Sequence, residues 1–160
     1  MTIFSPFKSG SLAAVAVIIL DQATKWWILT DVMSPPRRIP VTGFFDLVLV
    51  FNRGVSFGLL GGAPSWATAA LIVFALLLST ALCIWMWRAD SLLLGTALGL
   101  VVGGAIGNVI DRFLHGAVVD FLDFHVAGYH WPAFNVADSA ITIGVVLLIL
   151  DSLNSRPPDP

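Results

Sequence analysis

Four apolar stretches, each about 20 residues long, constrain this chain more than any other feature. They cover approximately residues 11–29, 66–87, 92–110 and 136–153. A helix of about 20 residues crosses the roughly 30 Å of hydrocarbon in a bilayer. Of the 160 residues, 58% are apolar and only 11% are charged, whereas soluble domains carry about 25% charged residues. The sequence therefore predicts one all-α integral membrane domain over residues 1–160, built as a four-transmembrane-helix bundle.

The connections divide the polar residues between two faces of the membrane. Four crossings place both termini on one face, and residues 88–91 leave room only for a tight turn there. Residues 30–65 and 113–135 then lie on the opposite face. Lys and Arg are usually in excess on the cytoplasmic side. Here the face that carries the termini has three basic residues and the opposite face has five, so this rule favours termini outside. The three are Lys8, Arg88 and Arg156, and the five are Lys25, Arg37, Arg38, Arg53 and Arg112.

The connection 30–65 contains a β-rich region. Residues 39–43 and 44–51 are rich in β-branched and aromatic residues around a glycine turn, which predicts a short sheet. Residues 52–58 predict a loop that approaches a ligand or a helix closely, because glycine permits backbone contact. The segment 113–135 is interpreted as a loop at the water boundary, without a spacing typical of a metal site. It contains Asp123 and the histidines His115, His125 and His130.

The third apolar segment carries a row of glycines. Gly95, Gly99, Gly103 and Gly107 recur every four residues and so share one helical face. Small residues in this arrangement let another membrane helix approach closely. The single cysteine, Cys83, lies in an apolar run and is interpreted as a core residue.

Three carboxylates stand out as candidates for chemistry. Asp120 lies among Val and Phe residues, and Asp138 lies in the similarly apolar stretch 134–139. An ionised carboxylate in such surroundings is costly and usually functional. Together with Asp111 they offer three possible pairs, and spacing alone does not choose among them.

Two further groups of polar residues have both structural and functional interpretations. Asp21 and Lys25 stand at i, i+4, which suits either a self-neutralising pair or a role toward substrate. Asn135 and Asp138 suit a helix N-terminus, where Asn135 caps and Asp138 supports the cap. That arrangement holds Asp138 ionised, and a second carboxylate nearby would keep its proton, as acid–base catalysis on a carbonyl requires.

Three classes of function fit these residues to different degrees. The chain can be a membrane aspartyl hydrolase, or a proton-coupled transporter with a relay through buried Asp residues and Arg112. Comparison of residues 1–87 with 92–160 shows no internal repeat of the kind typical of transporters. A third class, a structural subunit, would not explain why so many ionisable residues lie at one edge of the membrane. The net charge of −2 argues against a nucleic-acid partner.

Five motifs in order along the chain resemble lipoprotein signal peptidase, the bacterial signal peptidase II family. They are Asp21-Gln-Ala-Thr-Lys25, Phe51-Asn-Arg-Gly-Val-Ser-Phe57, Gly103-Gly-Ala-Ile-Gly-Asn-Val-Ile-Asp-Arg112, Val118-Val-Asp-Phe121 and Phe134-Asn-Val-Ala-Asp-Ser139. The motifs extend from the first helix to the last, and no position that matters departs from the family pattern.

The resemblance implies an aspartic endopeptidase of the bacterial inner membrane, with cytoplasmic termini and a periplasmic active site. Its substrates would be diacylated prolipoproteins, cut just before the lipidated cysteine, and residues 30–65 would form a periplasmic cradle. The resemblance makes Asp120 and Asp138 the catalytic pair. It also implies a membrane-embedded monomer without metal or cofactor, inhibited by cyclic peptides such as globomycin. Residues that support the pair or the substrate would be Asn52, Asn108, Asp111, Arg112 and Asn135, with Asp21 and Lys25 in a further motif.

Overall fold

Four long helices and a small sheet make up the computed structural model, which describes residues 5–54 and 65–154. The helices are α1 (Pro6–Trp27), α2 (Ser65–Trp87), α3 (Leu92–His115) and α4 (Val136–Asn154), and a π-helical turn (Ile28–Val32) extends α1. All four are long and apolar enough to cross a membrane. The predicted four-helix architecture is confirmed.

Two helix boundaries differ from those predicted. The first helix begins at Pro6 rather than near residue 11, because Ser5 caps it by accepting a hydrogen bond from the Lys8 backbone N–H at 3.3 Å. The third helix continues past residue 110 to His115. It ends there because Gly116 adopts a left-handed conformation, with φ of 68°, and donates its N–H to the Arg112 carbonyl.

The α3 helix lies at the centre of the bundle and packs against the other three helices. Its glycine row meets another helix closely, as predicted, and that helix is α1: Gly99 lies against Gly10, and Gly103 lies against Ala14. A Cβ atom on Gly103 would come within 2.7 Å of the Ala14 carbonyl oxygen. The two backbones are therefore in direct contact along this row.

Gly103→Leu is expected to lower the yield of folded protein and its melting temperature in detergent, because a leucine would force α1 away from α3. Overpacking of this kind costs about 1–3 kcal/mol or more. Gly43→Leu is the matched control, since nothing lies within 4 Å of a Cβ atom at that exposed position. A Gly103→Leu protein as stable as the control would contradict the packing argument.

A four-stranded antiparallel sheet lies next to the end of the bundle where α3 finishes. Its strands are β1 (Ile39–Thr42), β2 (Phe45–Asn52), β3 (Val118–Val126) and β4 (Tyr129–His130), in that order across the sheet. The first two strands confirm the sheet predicted in residues 39–51. The predicted glycine loop is described only as far as Gly54, and its residues 55–58 lie outside the described residues.

The interpretation of residues 113–135 as a loop was wrong. Residues 118–126 form β3, which pairs with β2, and residues 129–130 form β4. The sequence Val118-Val-Asp-Phe-Leu122 has the β-branched and aromatic content of a strand, but its pairing partner lies far away in sequence. Because such pairing is nonlocal, the apolar content alone did not reveal it.

The polar residues of that segment are correspondingly ordered rather than loop residues. His115 ends α3, Asp123 and His125 lie in β3, and His130 lies in β4. His130 Nδ1 is 2.8 Å from an Asp123 carboxylate oxygen. His125 Nε2 is 3.1 Å from Asp46 Oδ2. These contacts join β2, β3 and β4.

Candidate functional site

Asp120 is held within β3 at the junction of the sheet and the helices. Its side chain is only 1% exposed, and the flanking Val119 and Phe121 are also buried, as predicted. Asn135 Nδ2 donates to Asp120 Oδ1 at 2.7 Å, and Asn52 Nδ2 donates to Asp120 Oδ2 at 3.1 Å. The sheet therefore presents one buried carboxyl group to the ends of α3 and α4.

Asp138 lies in the first turn of α4. Asn135 Oδ1 accepts a hydrogen bond from the Asp138 backbone N–H at 2.9 Å, and Asp138 Oδ2 accepts one from the Asn135 backbone N–H at 3.3 Å. This reciprocal pair is the predicted cap of the helix. Asn108 Nδ2 also donates to Asp138 Oδ1 at 2.8 Å, which ties the same carboxylate to α3.

Asn135 joins the two carboxylates. Its side-chain amide donates to Asp120 while its backbone N–H donates to Asp138. The same amide also donates to Asn108 Oδ1 at 3.2 Å. Asn135 is completely buried, so Asp120 and Asp138 meet across one rigid, shared set of hydrogen bonds.

A buried ammonium group lies behind this pair. Lys25 Nζ is 2.7 Å from Asp21 Oδ2 and 2.8 Å from Asp111 Oδ2, and it donates to Asn108 Oδ1 at 3.1 Å. Lys25, Asp21 and Asp111 are at most 2% exposed. We name these three residues the lysine cluster. Asp21 and Lys25 thus form the predicted pair, extended by a second carboxylate from α3.

The lysine cluster anchors the backbone next to each carboxylate of the site. Asp21 Oδ1 accepts a hydrogen bond from the Ala137 backbone N–H at 2.9 Å. Asp111 Oδ2 accepts one from the Val119 backbone N–H, also at 2.9 Å. Ala137 directly precedes Asp138, and Val119 directly precedes Asp120. Because Asp111 is engaged with Lys25 and with this N–H, its contacts are those of a positioning group.

Gln22 belongs to the site although the sequence analysis did not single it out. Its Nε2 donates to Asp111 Oδ1 at 2.9 Å, and to the Gly107 carbonyl and Asp21 Oδ2 at 3.2 Å. A polar side chain within a membrane span costs free energy unless it has partners. That cost, and its position next to Asp21, were signals that could have identified it.

Arg112 is the polar residue of the site with spare donors. Its Nη1 donates to the Asn108 backbone carbonyl at 3.3 Å, while its Nε is buried and has no hydrogen-bond partner among the described residues. A guanidinium carries five N–H donors in a fixed plane. The side chain can therefore donate further hydrogen bonds to a ligand.

The environment of Asp120 changes its acidity. Burial, followed by the negative charge of Asp138, raises the pKa of Asp120 to about 7, against hydrogen bonds from Asn52 and Asn135 that lower it. A carboxyl group with this pKa keeps its proton in about half of the molecules at neutral pH. The site can then hold one protonated and one ionised carboxyl group.

A cleft of about 580 Å³ opens beside Asp138. Two of its hydroxyl groups already donate within α4, Ser139 Oγ to the Asn135 carbonyl and Thr142 Oγ1 to the Asp138 carbonyl, each at 2.9 Å. The rest of the wall is mainly apolar, so the cleft suits an apolar ligand next to a carboxylate. The lining residues are Trp131, Pro132, Ala133, Phe134, Asp138, Ser139, Ile141, Thr142 and Ile143.

The structure brings all nine residues predicted for the site to one end of the helices. Asp120 and Asn52 come from the sheet, and Asp138 and Asn135 come from the start of α4. The other five residues lie on α1 and α3: Asp21, Lys25, Asn108, Asp111 and Arg112. Within the described ranges 5–54 and 65–154, no three His, Cys, Asp or Glu side chains are grouped to hold a metal ion.

Comparisons with known proteins agree with this architecture. A bacterial membrane enzyme solved by the in meso method at 2.3 Å resolution has a TM-score of 0.79 at 34% identity, covering 94% of this chain and 93% of that one. A second bacterial membrane enzyme, solved by the same method at 1.9 Å, has a TM-score of 0.78 at 35% identity, covering 92% and 94%.

Sequence relatives are more similar still. The lipoprotein signal peptidase of Methylorubrum extorquens (strain PA1) is 49% identical over 160 residues, 96% of this chain and 91% of that protein. That of Rhodopseudomonas palustris (strain TIE-1) is 47% identical over 158 residues, 96% of each chain. A family model described as signal peptidase (SPase) II matches residues 13–154. With nearly the whole chain matched in these comparisons, this protein belongs to the signal peptidase II family.

Proposed function

We propose that this protein removes the signal peptide from diacylglyceryl-modified prolipoproteins, cutting just before the lipidated cysteine, with Asp120 and Asp138 as the catalytic pair. The observation that carries the proposal is the sharing of Asn135 by two carboxyl groups, the buried one of Asp120 and the partly buried one of Asp138. Family membership supports the substrate class. The whole chain, residues 1–160, acts as one peptidase domain and needs no metal or cofactor.

The two carboxyl groups divide the chemistry of peptide hydrolysis. Asp138, ionised, takes a proton from a water molecule whose oxygen attacks the scissile carbonyl carbon. Asp120, protonated, donates its proton to the carbonyl oxygen, which gives a neutral tetrahedral intermediate. Asp120 then takes that proton back while Asp138 gives its proton to the amine nitrogen. The carbon–nitrogen bond breaks, and both carboxyl groups return to their starting state.

The neighbouring residues keep this geometry and receive the substrate. Asn52, Asn108 and Asn135 orient the two carboxyl groups through the hydrogen bonds described above. Arg112 donates its spare N–H groups to the peptide, and the apolar cleft beside Asp138 receives an apolar part of the substrate. A cyclic peptide such as globomycin would bind in the same place and block cleavage.

A gel-shift assay on a diacylated prolipoprotein, with the purified protein in detergent, tests the proposal directly. We expect one cleavage product that begins at the lipidated cysteine, as mass spectrometry would show. Cleavage should persist with EDTA and with thiol reagents, because the proposed chemistry uses only carboxyl groups. Loss of cleavage with EDTA and its recovery with zinc would overturn the aspartic mechanism. Absence of cleavage under all conditions would overturn the function.

The dependence of cleavage on pH follows from the acidity of Asp120. Because its pKa is raised from 3.8 to about 7, the catalytic proton is present below that pH and is lost above it. We expect kcat/KM to fall along an alkaline limb with a midpoint near pH 7. The contribution of the protonated Asp120 to stability is likewise complete below about pH 4 and is lost as the pH rises through about 7.

The cause of that pKa can be tested separately by infrared spectroscopy of the protonated carboxyl band. Asp138→Asn removes the neighbouring negative charge, so the band of Asp120 should disappear at lower pH than in the unchanged protein. A band that titrates at the same pH in both proteins would show that Asp138 does not influence Asp120.

We further propose that the protein lies in the bacterial inner membrane with cytoplasmic termini and a periplasmic site. This orientation opposes the simple count of basic residues. Two of the five basic residues on the opposite face serve the site, Lys25 in the lysine cluster and Arg112 beside Asn108. Without them, three basic residues remain on each face, and the count no longer favours termini outside. The protein is proposed to act as a monomer.

A topology reporter provides the test of orientation. A reporter active only in the periplasm should be active when inserted near Ser34 and silent when fused after Pro160, because four crossings return the chain to its starting side. The opposite pattern would show that the charge count predicts the orientation correctly.

A further inference from the structure

A groove lies between α1 and α2 at the end of the bundle opposite Asp120 and Asp138. Phe7 near the start of α1 and Trp87 at the end of α2 contact edge to face, with ring centroids 4.9 Å apart. Along α1, residues 7 and 25 are separated by about 27 Å at 1.5 Å per residue. The groove and the lysine cluster therefore lie near opposite faces of the membrane.

The groove has the shape of a slot along one face of α2. Its volume is about 470 Å³, within the range of about 300–1,000 Å³ typical of small-molecule pockets. Positions 80 to 88 of α2 span about 12 Å along the helix axis, so the slot extends from the membrane boundary toward the interior. Its lining residues are Phe7, Thr80, Cys83, Ile84, Trp87 and Arg88.

The polarity of the groove changes along its length. At the inner end, Thr80 donates its hydroxyl proton to the Leu76 carbonyl at 2.8 Å, which leaves a mainly apolar wall. At the outer end, Trp87 is 72% exposed, at a depth where indoles favour the headgroup region. Arg88 supplies a cation there, and Lys8 follows Phe7 in the sequence.

This combination fits an amphiphile with an apolar chain and a negative head. The positive charge of Arg88 disfavours a positively charged ligand. Asp90 and Asp151, which lie at this end of the described helices, are not among the lining residues. Basic pockets beside membrane helices are suited to lipid phosphates. The distance from Asp120 and Asp138 separates this groove from the cleavage site.

We propose that the groove binds an anionic glycerophospholipid of the surrounding bilayer, with one acyl chain along Cys83 and Ile84 and the phosphate against Arg88. The lipid would fill the space between α1 and α2 at the membrane face where α1 begins and α4 ends.

Cys83 provides a probe in the unchanged protein, because it is the only cysteine in the chain and lines the groove. The rate at which N-ethylmaleimide labels Cys83 is measured in neutral detergent with added dioleoyl phosphatidylglycerol or dioleoyl phosphatidylcholine. We expect phosphatidylglycerol to slow labelling several-fold at concentrations where phosphatidylcholine has little effect. Glycerol phosphate, which lacks acyl chains, should not protect the cysteine.

Three variants make the test specific. Arg88→Gln should remove the preference for phosphatidylglycerol, whereas Arg37→Gln should keep it. Ile84→Trp places a bulky side chain in the groove at a position 54% exposed, so the protein should fold, and native mass spectrometry should show loss of the retained lipid. Equal protection by both lipids, or an unchanged preference in Arg88→Gln, would overturn the proposal. These readouts do not depend on peptidase activity.

Discussion

Asp120→Asn and Asp138→Asn are each expected to reduce turnover of a diacylated prolipoprotein by about 10²-fold or more. The amide has nearly the same size as the carboxyl group but cannot exchange the proton that the proposed reaction needs. Substrate should still bind, because the surrounding walls are unchanged. Single-turnover cleavage and equilibrium binding of the same substrate would separate the two effects.

The double substitution tests whether the two groups act as one unit. If they do, the Asp120→Asn and Asp138→Asn double variant should lose little more activity than either single variant. A folded Asp120→Asn protein with near-normal cleavage would remove Asp120 from the pair.

Asp111→Asn serves as the contrast. Asp111 accepts a hydrogen bond from the Val119 N–H and forms an ion pair with Lys25, so an amide there should reduce stability or substrate affinity as much as turnover. A fully folded Asp111→Asn protein that binds substrate but does not cleave it would transfer the catalytic role from Asp120 to Asp111.

Lys25→Met is expected to have the largest effect on stability. Removing the ammonium group leaves Asp21 and Asp111 as buried carboxylates without their cation, a change that typically costs about 3–5 kcal/mol. Turnover should fall as well, because these two carboxylates hold the Ala137 and Val119 N–H groups. The melting temperature in detergent and the yield of monodisperse protein are the measurements.

Lys8→Met provides the matched control, since it makes the same chemical change at the exposed end of the same helix. In detergent without lipid it should melt like the unchanged protein. Adding Asp111→Asn to Lys25→Met removes one uncompensated charge and should restore part of the lost stability. A Lys25→Met protein that melts together with the Lys8→Met control would contradict the importance of the ion pairs.

The four helices and a close helix contact at the glycine row of α3 could be predicted because both depend on local patterns, although the pattern did not name α1 as the partner. Long apolar runs specify membrane spans directly. A glycine at every fourth position specifies a face where backbones meet, and the structure places Gly99 and Gly103 on Gly10 and Ala14. The capping of α4 by Asn135 was equally local.

Contacts between distant segments were the part that local patterns could not provide. Val118–Val126 pairs with Phe45–Asn52, more than sixty positions earlier in the chain. The question of which two among Asp111, Asp120 and Asp138 share a hydrogen-bonding partner depended on the same kind of information. Only the fold shows that Lys25 engages Asp111, while Asn135 joins the other two.

Escape from an inhibitor bound at the proposed catalytic pair should be confined to the walls of the cleft. Val119 and Ala137 are fixed through their backbone N–H groups by carboxylates that Lys25 balances. Neither residue lines the cleft, so a substitution at either could weaken inhibitor binding only by displacing Asp120 or Asp138, the proposed catalytic pair. Resistant enzymes are therefore expected to carry changes at cleft-lining positions such as Trp131 and Thr142, which lie outside the lysine cluster and its anchored backbone.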